Sequence, residues 1–199
     1  MADDAVRGFK LRDDLMGYKP ALRRYYIPAG DATATFPGDL VTIKTTAEVD
    51  ADGYPACIQA AASDAILGVV IGFDKITGIS DANLNLYATH RPASVKMFCF
   101  VCDDPNALYE AQEDSVGGNI AITDGQKNVN FIVAAGDTVF GLSGMEIDSS
   151  TVDTTATLPL KLIQGAQQAG ASLPETNGKY IVKINNHQYG SSTGTAGVA

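Results

Sequence analysis

The chain has 199 residues, of which 45% are hydrophobic and only 19% charged, with 20 Gly, 8 Pro, no Trp and 2 His. That apolar fraction can bury a sizeable core and excludes global disorder, while a net charge of −9 opposes binding to nucleic acid by phosphate neutralisation. Residues 65–73 (AILGVVIGF) form the longest nonpolar run, far short of the ~20 residues of a membrane-spanning helix, and the acidic start MADDAVRGFK lacks the basic-then-apolar order of a signal peptide. The expectation is a soluble protein made in the cytoplasm, with neither a nucleic acid nor a membrane as partner.

In chain order, residues 1–30 carry six basic groups against four acidic ones, a net +2 that leaves −11 on the remainder. Across residues 8–19 (GFKLRDDLMGYK) neither the helical nor the strand period persists, and Gly8, Gly17 and Pro20 interrupt the backbone, so residues 1–21 read as an extended arm. Short β segments follow. Residues 40–45 (LVTIKT) alternate, with Val41, Ile43 and Thr45 on one face. Residues 67–73 (LGVVIGF) and 95–101 (VKMFCFV) are apolar on both faces and suit strands enclosed on two sides. Leu158, Leu160 and Leu162 share a face of a strand that Pro159 marks as an edge or a bulge. Tyr180, Val182 and Ile184 share a face of another strand. Turns are signalled at Pro37-Gly38-Asp39, Asp50 to Gly53, Asp124-Gly125 and Gly136-Asp137. Little room is left for helix, and no repeat of fixed period is visible. The fold class is therefore mostly β, an antiparallel β-sandwich or barrel, jelly-roll-like or β-tulip-like, with a β-rich domain over residues 22–189. The uncharged end GSSTGTAGVA, residues 190–199, reads as a flexible tail.

Chemical signatures are sparse. Cys99 and Cys102 have the spacing of a redox or half-zinc pair, but positions i and i+3 of a strand point to opposite faces, and three Cys are too few for a disulfide framework. They read as reduced core residues. His90 and His187 have no metal-ligand or triad partners at useful spacing, and read as hydrogen-bonding surface or interface groups. Asp50-Ala51-Asp52-Gly53 lacks the later ligands of a calcium loop and reads as a β-turn. Asp103-Asp104 and Glu113-Asp114 lie in turn contexts and read as solvated loop acids. The chain is expected to be no enzyme, and no cofactor or metal is expected.

Several stretches nonetheless form an ordered pattern: Tyr26-Ile-Pro-Ala-Gly-Asp31, Phe36-Pro-Gly-Asp-Leu-Val41, residues 65–73, Val101-Cys-Asp-Asp-Pro105, Glu110-Ala-Gln-Glu-Asp114, Ser143-Gly-Met-Glu-Ile-Asp-Ser149 and Ile184-Asn-Asn-His-Gln-Tyr-Gly190. Over roughly residues 20–195 this pattern resembles the head decoration, or cement, proteins of tailed bacteriophages, particularly the short-tailed ones. The resemblance implies a structural protein on the outer surface of the virion capsid that bridges neighbouring major capsid subunits and assembles as a homo-oligomer, a trimer before a dimer. The charge split adds that the arm and the segment after it, through Phe9, Leu11, Arg12, Tyr18, Arg23, Arg24 and Tyr25, supply the capsid-facing contacts, because aromatic and Arg side chains anchor interfaces. His187 and Tyr189 are assigned to the subunit interface. The rival readings are a virion-displayed carbohydrate-binding or host-attachment β-sandwich, for which the missing Trp removes the usual stacking residue, and a hydrolase using paired carboxylates such as Glu110 or Glu113.

Overall fold

Alternating apolar residues between Gly, Pro and Asp turns produce eleven strands among residues 4–17, 19–46, 48–62, 64–74, 89–166 and 173–198, which the computed structural model describes. They are β1 (Lys10–Asp14), β2 (Leu22–Ile27), β3 (Leu40–Ile43), β4 (Cys57–Gln59), β5 (Gly68–Phe73), β6 (Met97–Cys102), β7 (Ala107–Gln112), β8 (Asn128–Ile132), β9 (Glu146–Asp153), β10 (Leu160–Gly165) and β11 (Lys179–Ile184). A 3-10 turn, Ile122–Asp124, precedes β8. The mostly β, helix-poor architecture expected from the turn spacing is what the chain adopts.

The strands pair antiparallel in two sheets, one in the order β2-β6-β5-β3-β4 and the other in the order β1-β7-β11-β10-β8-β9. Each sheet curls until its ends approach. A parallel bridge joins Tyr26 of β2 to Ala56 before β4, and Tyr26 N–H donates to the Pro55 carbonyl at 3.2 Å. A second parallel bridge joins Glu113 after β7 to Ile147 of β9, where Asp114 N–H donates to the Ile147 carbonyl at 3.0 Å. Both curled sheets thus run first strand, fifth, fourth, second, third and back to the first. The chain follows one five-strand path twice, over β2 to β6 and again over β7 to β11.

Period-two alternation assigns the side chains. Tyr25, Ile27, Val41, Val70, Cys99 and Val101 pack together within the first curled sheet. Tyr109, Phe131, Ile147, Leu160, Leu162 and Val182 do so within the second, and Leu40, Val69 and Cys102 from the first sheet join that same cluster. The run LGVVIGF is apolar on both faces for this reason: Val69 faces one cluster and Val70 the other. Cys99 and Cys102 likewise divide between the two clusters, as their spacing in a strand requires.

At the periphery the structure sharpens three expectations. The arm is extended but not free. Phe9 N–H donates to the Gly38 carbonyl at 2.9 Å, the Phe9 ring meets Phe131 edge-on at 6.5 Å, and β1 then pairs with β7 with Lys10 opposite Glu110. Phe9 is a core residue because its ring fills the junction of the two sheets. Of the two readings offered for the strand after Pro159, edge or bulged, it takes the second: β10 lies between β11 and β8, and its register shifts between Leu162 and Gln164. The end of the chain is not loose either. Asn128 Nδ2 donates to the Thr195 carbonyl at 2.7 Å, Gly197 N–H to that of Thr154 at 2.9 Å and Val198 N–H to that of Gln126 at 3.1 Å. Small residues permit this close lie: a Cβ on Gly194, at φ +68°, would stand 2.2 Å from the Ala156 carbonyl oxygen.

Candidate interaction surface

The turn between β6 and β7, Asp103-Asp104-Pro105-Asn106, is closed by Ala107 N–H donating to the Asp104 carbonyl at 3.1 Å and Asn106 N–H to the Asp104 carboxylate at 2.8 Å. It holds Asp103 beside the start of β2, whose Leu22 and Arg23 stand opposite Cys102 and Val101. There Asp103 Oδ2 accepts from the Tyr25 hydroxyl at 2.7 Å and from Arg23 Nη1 at 3.1 Å. The Tyr25 hydroxyl also lies 3.2 Å from that of Tyr189, whose backbone N–H donates to His187 Nδ1 at 3.1 Å. Residues about 160 positions apart in sequence therefore form one hydrogen-bonded cluster.

The electrostatics follow from burial. Loss of water pushes the Tyr25 phenol well above its usual range, and the Tyr189 hydroxyl and Asp103 reinforce the shift. Burial pushes His187 down to about 4, overriding the attraction of Asp103 and Asp104. His187 is therefore neutral at pH 7, and because Nδ1 accepts, the proton sits on Nε2. Asp103 is 5% exposed, so the expectation of a solvated loop acid is corrected: its carboxylate is the centre on which Tyr25 and Arg23 converge.

Outside this cluster lies a groove of about 360 Å³ lined by Ala21, Arg23, Asp103, Asp104, Pro105 and Tyr189. Tyr189 stands half-exposed on its wall, and the turn that ends β1, bonded to Asn106 beside it, exposes Leu15 and Met16; Leu22, also exposed, lies on the opposite face of β2 from Arg23. That turn is tied in place by Leu15 N–H donating to the Asn106 carbonyl at 3.0 Å and Met16 N–H to Asp14 Oδ1 at 2.8 Å. The result is a groove of charged and aromatic side chains on a fixed backbone, with two exposed apolar side chains on the neighbouring turn.

The remaining site residues lie elsewhere. Leu11 packs half-buried against the main core. Arg12 pairs with Glu110 across β1 and β7. Arg24 stacks its guanidinium 3.9 Å over the Phe98 ring and donates to Asp74 at 2.8 Å. Tyr18 lies outside the described residues. The assignment of Phe9 and Tyr25 as surface contacts is corrected, because both rings are 2% exposed, and so is that of His187 as a subunit contact, at 1%. Arg23 and Tyr189, proposed for separate surfaces, are instead neighbours on one.

Three buried polar features carried no sequence signal. Arg91 is fully enclosed and donates to the carbonyls of Val95 at 2.7 Å, Pro28 and Asp31 at 2.8 Å each, and Thr33. Glu113, another acid expected in solvent, is fully buried; its Oε2 accepts from Ile120 N–H at 2.7 Å, and burial pushes its carboxyl up to about 7. The Cys57 and Cys99 sulfurs lie 3.5 Å apart inside the first sheet. By contrast, the calcium-like stretch is the β-turn its composition suggests, with Asp50 Oδ1 accepting from Asp52 and Tyr54 N–H. Among the described residues no group of three His, Cys, Asp or Glu is arranged to hold a metal ion, and no helix is long and apolar enough to cross a membrane. Comparison with protein-family models, with curated proteins and with solved structures finds no match to this chain.

Proposed function

We propose that this chain is a non-enzymatic structural protein that binds the outer surface of a tailed-phage capsid and cements neighbouring major capsid subunits. The order of the stretches quoted from the sequence suggests the class, and one structural observation supports the reading. Arg23 and Tyr189 line a small groove, and Leu15 and Met16 stand exposed on the turn bonded to Asn106 beside it, on backbone held by strand pairing and turn hydrogen bonds. Exposed apolar clusters rimmed by polar groups are typical of protein-binding surfaces, and a Tyr and an Arg at the centre are the side chains that most often anchor them. Cementing requires a rigid body that offers a pre-formed patch, since a surface that need not reorganise loses little entropy on docking.

The direct test is to mix the purified protein with empty expanded heads and measure occupancy by electron microscopy. Wild-type protein should decorate them. Arg23→Ala combined with Tyr189→Ala should lower occupancy at least about tenfold while leaving the circular dichroism spectrum unchanged. Wild-type protein that leaves heads bare, or a double variant that decorates them as well as wild type, overturns the proposal.

A further inference from the structure

Strands β10 and β11 set two lysines against each other. Lys161 and Lys183 stand directly opposite in the antiparallel register, and neither forms an ion pair among the described residues. Like charges in that position destabilise a sheet. Burial and Lys161 both push the Lys183 ammonium down, against the opposing pull of Asp104. The acceptors these ammonium groups have are neutral: Lys161 Nζ donates to the Ala196 carbonyl at 2.9 Å and Lys183 Nζ to Asn106 Oδ1 at 3.2 Å. An ammonium carries three donors, so each lysine keeps donors to spare as well as an unbalanced charge.

His187 adds a further donor. Its Nδ1 accepts from Tyr189 N–H, so the ring proton sits on Nε2, and that nitrogen is buried with no hydrogen-bond partner among the described residues. A buried N–H without an acceptor is itself costly. Lys161, Lys183 and His187 all line one cavity of about 260 Å³, enclosed by the β6–β7 turn, β10, β11 and the segment after β11. Among the described residues no Asp or Glu lines it. Its walls are fixed. His187 bridges to Ile66, Gly190 N–H donates to the His187 carbonyl at 3.0 Å, and Asn185 Nδ2 donates to the carbonyls of Ala156 and Leu158 at 2.9 Å each.

We propose that this cavity binds a phosphate group, as free phosphate or as a small phosphate monoester, through Lys161, Lys183 and the Nε2–H of His187. Two cations on facing strands and a neutral donor ask for a ligand with two negative charges and at least three acceptor oxygens. A phosphate dianion meets both demands, whereas a carboxylate brings one charge and two oxygens. Lysines serve phosphate as point charges, and the charge-assisted bonds they form are the strong ones. The bound anion would offset the repulsion between Lys161 and Lys183 and give His187 its missing acceptor. The site shares a single wall residue, Pro105, with the groove beside Arg23, so it stands or falls independently of capsid binding.

Isothermal titration calorimetry on the full chain tests this at about pH 8, where phosphate is a dianion, with chloride holding the ionic strength constant. Inorganic phosphate or glycerol phosphate should bind at a single site with a dissociation constant of about 1 mM or tighter, and acetate at least about tenfold more weakly. The stronger of the two phosphate ligands identifies the source, free or esterified. Lys161→Gln and Lys183→Gln should each weaken phosphate binding by about tenfold or more. Both variants should melt no lower than wild type in phosphate-free buffer, since each removes a like-charge pair, so lost binding would not reflect lost folding. In nitrogen NMR spectra the His187 Nε2 resonance should move on titration while those of His90, outside the cavity, stay in place. The proposal is overturned by the absence of saturable phosphate binding below about 10 mM, by acetate binding as tightly as phosphate, by lysine variants that bind as wild type does, or by an unmoved His187 resonance.

Discussion

At the scale of single residues, His187 and Glu113 set opposing dependences on pH. Burial pushes His187 down to about 4, below its unfolded value of about 6.5. Between those values the unfolded chain binds the proton and the folded chain does not, so this group's contribution to stability falls as pH drops through the window. Burial pushes Glu113 up to about 7 from about 4.5. There the folded chain holds the proton that the unfolded chain has lost, and stability falls as pH rises. The two slopes therefore largely cancel between pH 4.5 and 6.5. Glu113→Gln removes one of them and can keep the bond from Ile120 N–H through its amide oxygen. The variant should gain stability relative to wild type as pH rises from 4.5 to 7, by up to about 3 kcal/mol. Taking the difference between variant and wild type isolates Glu113 from Asp39 and Glu146, whose carboxyls burial also raises. Urea unfolding at four pH values measures it, and a difference that does not change with pH would refute the assignment.

At the scale of elements, the N-terminal segment shows where composition misleads. Its basic and aromatic residues look like a solvent-facing arm because neither apolar period persists across residues 8–19. A five-residue edge strand anchored by a single aromatic ring has no periodic signature, yet β1 pairs with β7 and Phe9 enters the core. Phe9→Ala should therefore destabilise the protein by about 3–5 kcal/mol, whereas Leu15→Ser with Met16→Ser should change stability by less than about 0.5 kcal/mol and act on binding alone. Thermal melts of both variants separate a core strand from a free arm; an innocuous Phe9→Ala would restore the arm. Longer strands were readable because alternation survives in them: Tyr180, Val182 and Ile184 face the core as their spacing indicates, and Val69 and Val70 show why an unbroken apolar run needs two covered faces. The candidate surface was readable only in part. Tyr189 and Arg23 stand out by residue type, but Leu15 and Met16 look like any core residue until their exposure is known, and Asp103 looks like a solvated turn acid until Tyr25 and Arg23 close on it.

At the scale of the whole molecule, the repeated five-strand path had no counterpart in the sequence, because what repeats is the order of pairing and many apolar residues can fill equivalent positions. Two units of like topology could unfold separately, but here they share one apolar cluster, and their backbones meet at Gly38. Gly38 N–H donates to the Val70 carbonyl at 2.7 Å, and its own carbonyl accepts from Phe9 N–H, so the first sheet, the N-terminal segment and, through β1, the second sheet are joined at one residue. The approach depends on glycine. Its φ is +95°, and a Cβ would stand 2.6 Å from the Arg7 carbonyl oxygen, a backbone atom that cannot swing aside. Wild type should therefore unfold in one cooperative transition, with the same midpoint by tyrosine fluorescence, far-ultraviolet circular dichroism and amide exchange in β5 and β10. Gly38→Val forces the N-terminal segment away from this junction and adds strain at a positive φ, so it should cost about 2 kcal/mol or more and separate the exchange midpoints of β5 and β10. If those midpoints stay together while overall stability falls, the shared cluster of Leu40, Val69, Phe131 and Tyr109 couples the two units without the glycine junction, and the role given to Gly38 is wrong.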